Sequence, residues 1–176
     1  MRKLHHSEIV RTPLEKIKEK KTHPIYVVVD NVRSMYNVGS IFRTSDGARI
    51  SKLFLCGFTP YPPRSEILKT ALGATESVAW EYSKSVDDVL VRLKSEHIRI
   101  VAVEHTTKSI PHTELTKQDF PLALVIGNEI SGLSPTVLDY ADIAVEIPMH
   151  GIKQSLNVSV AYGIVLFECL RVLHSG

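Results

Sequence analysis

Three short segments carry polar residues whose types could do chemistry together. The first, DNVRSMYNVGSIFRTSDG (30–47), holds Asn37 and Arg43. Asn37 reads as an N-cap, its side-chain oxygen accepting from backbone N–H groups two or three residues on. In the helix that follows, Val38, Ile41 and Phe42 form the buried stripe, and Arg43 shares another face with Gly39, Ser40 and Gly47. One long cation among residues of almost no bulk leaves room for a ligand to approach. The plainer alternative is that Arg43 pairs with Asp46, a solvated arrangement of little worth.

The second segment, LVIGNEISGLS (124–134), runs from a buried strand into a turn at Gly127, Asn128, Glu129 and Gly132. Glycine at a strand end lets the backbone come close to a ligand, and Glu129 can balance a cation or hold an arginine. The alternative is a strand–turn–helix corner in which the glycines only satisfy φ and ψ. The third segment, IPMHGIKQSLNVSVAYGIVLFECLRVLH (147–174), inserts Ser155, Asn157 and Ser159 into the start of a long apolar helix. Capping of orphan N–H groups accounts for one such residue, not for three.

The elements that position these segments alternate regularly. Residues 25–30, 52–57, 78–83, 98–105, 122–127 and 143–149 read as short apolar strands, and continuous apolar runs suit a parallel sheet covered on both faces. Helices are expected at 38–48, about 86–96, 135–140 and 156–173, and the proline-rich stretch 58–65 as a loop. The pattern predicts a single α/β domain with a mostly parallel sheet. In such sheets ligands bind beyond the carboxyl ends of the strands, which is where Asn31, Glu104, Gly127 and Pro148 fall. Neither a G-x-G-x-x-G after the first strand nor a Walker phosphate loop is present, so a nucleotide or nicotinamide enzyme has no local support.

Residues 1–24 form a basic N-terminal extension, with Arg2, Lys3, Arg11, Lys16, Lys18, Lys20 and Lys21 against Glu8, Glu15 and Glu19. It is either a solvated, partly helical surface segment or an arm for RNA phosphates, where clustered cations gain affinity by releasing counterions. The whole chain has a net charge of only +2, which permits a nucleic-acid partner without demanding one. Cys56 and Cys169 lie far apart, so reduced thiols are expected and a metal site is not. The N-terminus lacks a signal-peptide core, and the apolar run 158–167 is too short to span a bilayer. A soluble, cytoplasmic protein without membrane contact is the expectation.

Taken together, N-V-G-S-I-F-R (37–43), I-G-N-E-I-S-G-L (126–133) and I-P-M…S-L-N-V-S-V-A (147–161) resemble the three motifs of the SpoU-type members of the SPOUT RNA methyltransferases. The resemblance covers residues 25–174. It implies a methyltransferase domain over 25–176 whose C-terminal part is threaded as a deep trefoil knot. It also implies a homodimer that binds RNA across its interface. The implied reaction is methyl transfer from S-adenosylmethionine to a ribose 2′-hydroxyl of tRNA or rRNA, with tRNA preferred. Residue by residue, it places Gly127, Ile147 and Leu156 around the cofactor, with Ser155 and His105 added. Arg43, Asn37, Glu129, Ser155 and Asn157 fall on catalytic or substrate-side positions, Glu129 and Asn37 orienting Arg43. An arginine stays protonated, so Arg43 is expected to stabilise the incipient alkoxide and grip a phosphate rather than act as a base. Three features depart from the pattern: the short leading segment, Ile130 where many members have glycine, and the lack of a basic tail. They bear on which RNA is the target. The alternative is a non-catalytic RNA-binding or assembly protein that keeps the fold.

Overall fold

The apolar runs become seven strands in one sheet, in the order β3-β2-β1-β6-β4-β7-β5, and each ladder between them is parallel. The strands are β1 (His23–Asp30), β2 (Ile50–Cys56), β3 (Trp80–Ser83), β4 (Arg99–Val103), β5 (Ile110–Pro111), β6 (Leu122–Ile126) and β7 (Ile143–Glu146). The helices are α1 (Leu14–Glu19), α2 (Met35–Ala48), α3 (Ser65–Ala71), α4 (Ala74–Ser77), α5 (Val86–Ser95), α6 (Pro135–Tyr140) and α7 (Val158–His174). This computed structural model describes residues 1–10 and 12–175; Arg11, one of the cations of the leading segment, lies outside them.

Each central strand is buried on both faces because its successive side chains enter different cores. Val27, Val29, Leu53, Leu55, Leu124 and Ile126 pack with α2, α3 and α7, whose contributions include Phe42, Ile67, Tyr162 and Leu166. Val28, Phe54, Cys56, Ala123 and Val125 pack on the opposite face with Val89, Leu90 and Leu93 of α5 and Val137 of α6. Inside the first core the Tyr162 hydroxyl and Ser45 Oγ are 2.7 Å apart, joining α7 to α2 through a buried polar pair. The two cysteines are buried and unpaired, Cys56 in one core and Cys169 in the other. Burial, with nearby carboxylates adding to it, pushes both thiols up to about 12.

Several elements differ from expectation. Helix α2 begins at Met35, because Ser34 and not Asn37 is its N-cap: Ser34 Oγ accepts from Asn37 N–H at 3.3 Å. Helix α7 begins at Val158, capped by Asn157, so Ser155 and Leu156 precede the helix and Ser155 caps nothing. The small face of α2 is not open at Gly39, where a Cβ would overlap Thr70 Oγ1 and the Ile67 carbonyl; α3 crosses there. Helices α3 and α4 and the two-residue β5 were too short to leave a periodic signal. Strand β1 starts at His23, so the leading segment ends two residues earlier than the composition suggests. That segment forms a 3-10 turn at His6–Glu8 and α1, with Leu4, Ile9 and Val10 exposed. Among the described residues no helix is long and apolar enough to cross a membrane.

Candidate functional site

The neighbouring strands β1, β6, β4 and β7 all end on one side of the sheet, and a cleft of about 210 Å³ opens beyond β6, β4 and β7. Gly127 follows β6, His105 lies past β4, and Ile147 follows β7. Ser155 and Leu156 close the cleft from the loop that leads into α7. All five residues expected around the cofactor therefore line one cavity. Its wall is apolar at Val103, Ile126, Val145 and Ala161, and carboxylates approach it at Glu104, Glu129 and Glu146.

Close backbone packing shapes the cleft. A Cβ at Gly127 would lie 2.6 Å from the carbonyl carbon and oxygen of Gly132. Gly132 itself has φ +65°, and its N–H donates to the Asn128 carbonyl at 3.0 Å. Glu104 holds this turn from β4, its carboxylate accepting from Leu133 N–H at 2.9 Å and His105 N–H at 3.0 Å. The buried Asn128 ties the turn to β1: its Nδ2 donates to the Asn31 carbonyl at 2.8 Å, and its Oδ1 accepts from Ile130 and Ser131 N–H. On the far wall, the Ser109 hydroxyl and the His105 ring hold the Glu146 carboxyl below its ordinary range. His105 Nδ1 lies 3.3 Å from Glu146 Oε2.

Beside the cleft, the three polar segments join into one relay. Asn157 Nδ2 donates to Asn37 Oδ1 at 3.1 Å, and Asn37 Nδ2 donates to Glu129 Oε1 at 2.9 Å. Asn157 Oδ1 accepts from both the N–H and the hydroxyl of Ser159, at 3.0 and 2.6 Å. Glu129 also accepts from the backbone N–H groups of Arg33 and Ser34, at 3.2 and 3.4 Å. Because Ser34 caps α2, the Asn37 amide is released for this work. Asn157 does two jobs, capping α7 and closing the relay.

Burial works against the Glu129 anion, yet Asn37 and the Arg33 and Ser34 N–H groups outweigh it and hold the carboxyl below its ordinary value. The sign of the linkage follows. A depressed carboxyl adds stability at pH above its unfolded value, and that stability is lost as pH falls through the lower folded value. Glu129→Gln should therefore flatten the acid limb of a Tm-against-pH curve below about pH 4.5, the ordinary value for glutamate. An acid limb identical to that of the parent protein would count against this linkage.

Arg43 does not join the others. It is exposed on α2, does not line the cleft, and has no side-chain partner among the described residues. Asp46, its expected partner, instead accepts from the Ser77 hydroxyl. Nor do Asn37 and Glu129 orient Arg43 within the chain; they bind each other and the α2 N-terminus. Glu146 was not singled out by sequence, and Asn128, Glu104 and Ser159 were noted in the polar segments and at a strand end without a site role. Glu104 carried a signal in its strand-end position, and Asn128 in its place between Gly127 and Glu129.

The SpoU rRNA Methylase family matches residues 24–167. The chain is 35% identical over 162 residues to the tRNA (guanosine(18)-2′-O)-methyltransferase of Aquifex aeolicus, covering 90% of this chain and 74% of the relative. It is 33% identical over 166 residues to the 23S rRNA (guanosine-2′-O-)-methyltransferase RlmB of Haemophilus influenzae, covering 93% and 66%. It thus spans 66% to 74% of these relatives' lengths. The AdoMet-bound rRNA methyltransferase from Sinorhizobium meliloti has a similar structure, with TM-score 0.79 and 30% identity over 93% of this chain and 62% of that one.

Proposed function

This chain belongs to the SpoU methylase family, and from that premise we propose that it methylates a ribose 2′-hydroxyl of structured RNA using S-adenosylmethionine. The chemistry such a donor supplies is a methyl group on a cationic sulfur, displaced in line by the ribose oxygen. The residues of the cleft fit the donor. Their apolar wall suits an adenine ring, Gly127 leaves backbone exposed to it, and the nearby carboxylates favour a cation over an anion.

Gly127, Ile147, Leu156, Ser155 and His105 bind the donor in this reading. Asn37, Glu129, Ser155 and Asn157 face the ribose, and their hydrogen-bonded rigidity fixes the oxygen's line of approach. Arg43 stabilises the charge that develops on that oxygen as its proton passes to solvent. The observation that carries the reading is the relay from Asn157 through Asn37 to Glu129, which joins three sequence-distant motifs beside a single cleft.

A homodimer and a C-terminal trefoil knot belong to the same proposal, with residues 25–176 as the catalytic domain. Val160, Ile164 and Phe167 lie exposed at helical spacing on α7, an unpartnered apolar stripe for a second copy. Thr44 and Gly47 of α2 border α7 at Gly163 and Phe167. Arg43 is therefore beside the surface that a second copy would cover, and dimerisation is the step that would bring it to a cleft.

Among RNAs we place tRNA ahead of rRNA, since a compact dimer with a basic arm can grip a small folded RNA. Deleting residues 1–20 should weaken RNA binding and flatten its dependence on salt. An unchanged salt slope would leave the segment a plain surface extension. Two measurements test the reaction itself: titration calorimetry with S-adenosylmethionine, and mapping of alkali-resistant positions in tRNA and rRNA transcripts after incubation. No heat and no methyl transfer would leave only a non-catalytic RNA-binding role.

A further inference from the structure

A second cleft, about 410 Å³, lies beyond the carboxyl ends of β1 and β2, lined by Arg33, Met35, Phe58, Tyr61 and Arg64 among others. Its chemistry differs from that of the first. Phe58 and Tyr61 expose 57% and 43% of their surface, which water alone would not favour on a short loop. The Arg33 guanidinium stands 5.5 Å from the centre of the Phe58 ring, and the Tyr61 and Tyr82 rings lie 4.5 Å apart, tilted by 37°. The ion pairs among the described residues engage neither Arg33 nor Arg64. Glu66 is the carboxylate that Arg64 influences.

The loop that presents these rings is held to the sheet. The Thr59 hydroxyl, buried, donates to the Val29 carbonyl at 3.1 Å and accepts from Val32 N–H at 3.2 Å. Phe58 N–H donates to Asn31 Oδ1 at 3.1 Å, and the Tyr82 hydroxyl donates to the Gly57 carbonyl at 2.8 Å. Gly57 takes φ +65°, and a Cβ there would overlap Asn31 Oδ1. The loop backbone that carries the exposed rings is thus held to the sheet before any ligand arrives.

One residue connects the two clefts. The backbone N–H of Arg33 donates to Glu129 in the relay, while its side chain reaches over Phe58. We propose that the Arg33–Phe58–Tyr61–Arg64 cleft is a stacking subsite for the base of an RNA nucleotide next to the one methylated. This inference rests on the RNA 2′-O-methyltransferase reading above. Exposed aromatic faces on an anchored loop bind bases without regard to sequence, and the two guanidinium groups, outside the ion pairs of the described residues, match the phosphates on either side. Such a base is an unstacked one, so the subsite selects loops over duplex.

The test is steady-state kinetics on pools of unmodified tRNA and rRNA transcripts, with S-adenosylmethionine affinity measured by calorimetry on each variant. Phe58→Ala should raise the KM for RNA about ten-fold, the loss of one base–aromatic stack, with kcat and donor affinity held. Phe58→Trp should restore the parental KM, and Arg64→Ala should lower the salt slope of RNA binding by about one. An unchanged KM in both Phe58→Ala and Tyr61→Ala overturns the proposal, as does a Phe58→Trp variant no better than Phe58→Ala. If the parent protein methylates neither pool, the reaction assigned above fails first and the subsite falls with it.

Discussion

Replacing Arg43 with alanine is expected to lower methyl transfer by roughly 10²–10³-fold, the scale of losing one preorganised charge-stabilising group, while S-adenosylmethionine binds as before. The separation of the two effects follows from position. Arg43 is exposed on α2 and does not line the cleft, so its removal leaves the walls of that cavity untouched. It has no partner whose burial or charge would be stranded among the described residues, so folding should not suffer. A guanidinium keeps its proton, which assigns it the negative charge that develops on the attacking ribose oxygen rather than the proton itself. Arg43→Lys should therefore recover part of the lost rate but not all of it, a point charge replacing a planar fork. Single-turnover transfer with calorimetry on the same preparations decides the matter. A parallel loss of donor affinity would refute the assigned role.

Gly127→Ala should do the opposite, striking donor binding first. The new methyl group would meet Gly132 backbone atoms at 2.6 Å and Leu133 nitrogen at 2.8 Å. No flexible side chain can yield there, so the turn that carries Asn128 and Glu129 must move. A forced backbone shift of this kind costs about 1–3 kcal/mol of stability. Donor affinity should drop at least ten-fold, about 1.4 kcal/mol, because the displaced turn is one wall of the cleft. Gly151→Ala is the matched control. A Cβ there has open space around it, and both thermal stability and donor binding should stay parental. Wild-type donor affinity in a correctly folded Gly127→Ala protein would show that the cleft is not the donor's site.

How much of this was legible in the sequence depends on the range of the interaction. Val27 to Val29 and Leu122 to Ile126 announced buried strands because burial on both faces requires apolar residues at every position. The caps were read less well. Asn37 satisfies the residue preference for an N-cap, but Ser34 stands three residues earlier and takes the bond, which only coordinates could decide. Helix α3 went unread since its buried face amounts to Ile67 and Ala71.

The site residues were recognisable as three separate motifs, yet not as a relay. Asn37 and Glu129 are 92 residues apart, and Asn37 and Asn157 are 120 apart; periodicity carries no information over such distances. The trefoil knot comes from the family resemblance alone, whereas a second subunit is also suggested by a last helix that is apolar nearly all round. The stacking rings were hidden by a different cause. A proline-rich loop reads as a connector, and nothing in FTPYPPRS says that Thr59 anchors it rigidly enough to present Phe58.

The placement of the two cysteines gives the molecule a pair of internal clocks. Each thiol is silent in the folded chain, being shielded from reagent and almost wholly protonated at neutral pH. A disulfide reagent in solution can reach Cys169 only when α7 lifts from its side of the sheet, and Cys56 only when the α5–α6 side opens. Labelling rates at the two sites thus time the separate openings of the two halves of the protein. The half bearing α7 also bears one end of the relay, so the pace at Cys169 reports how long the site stays assembled.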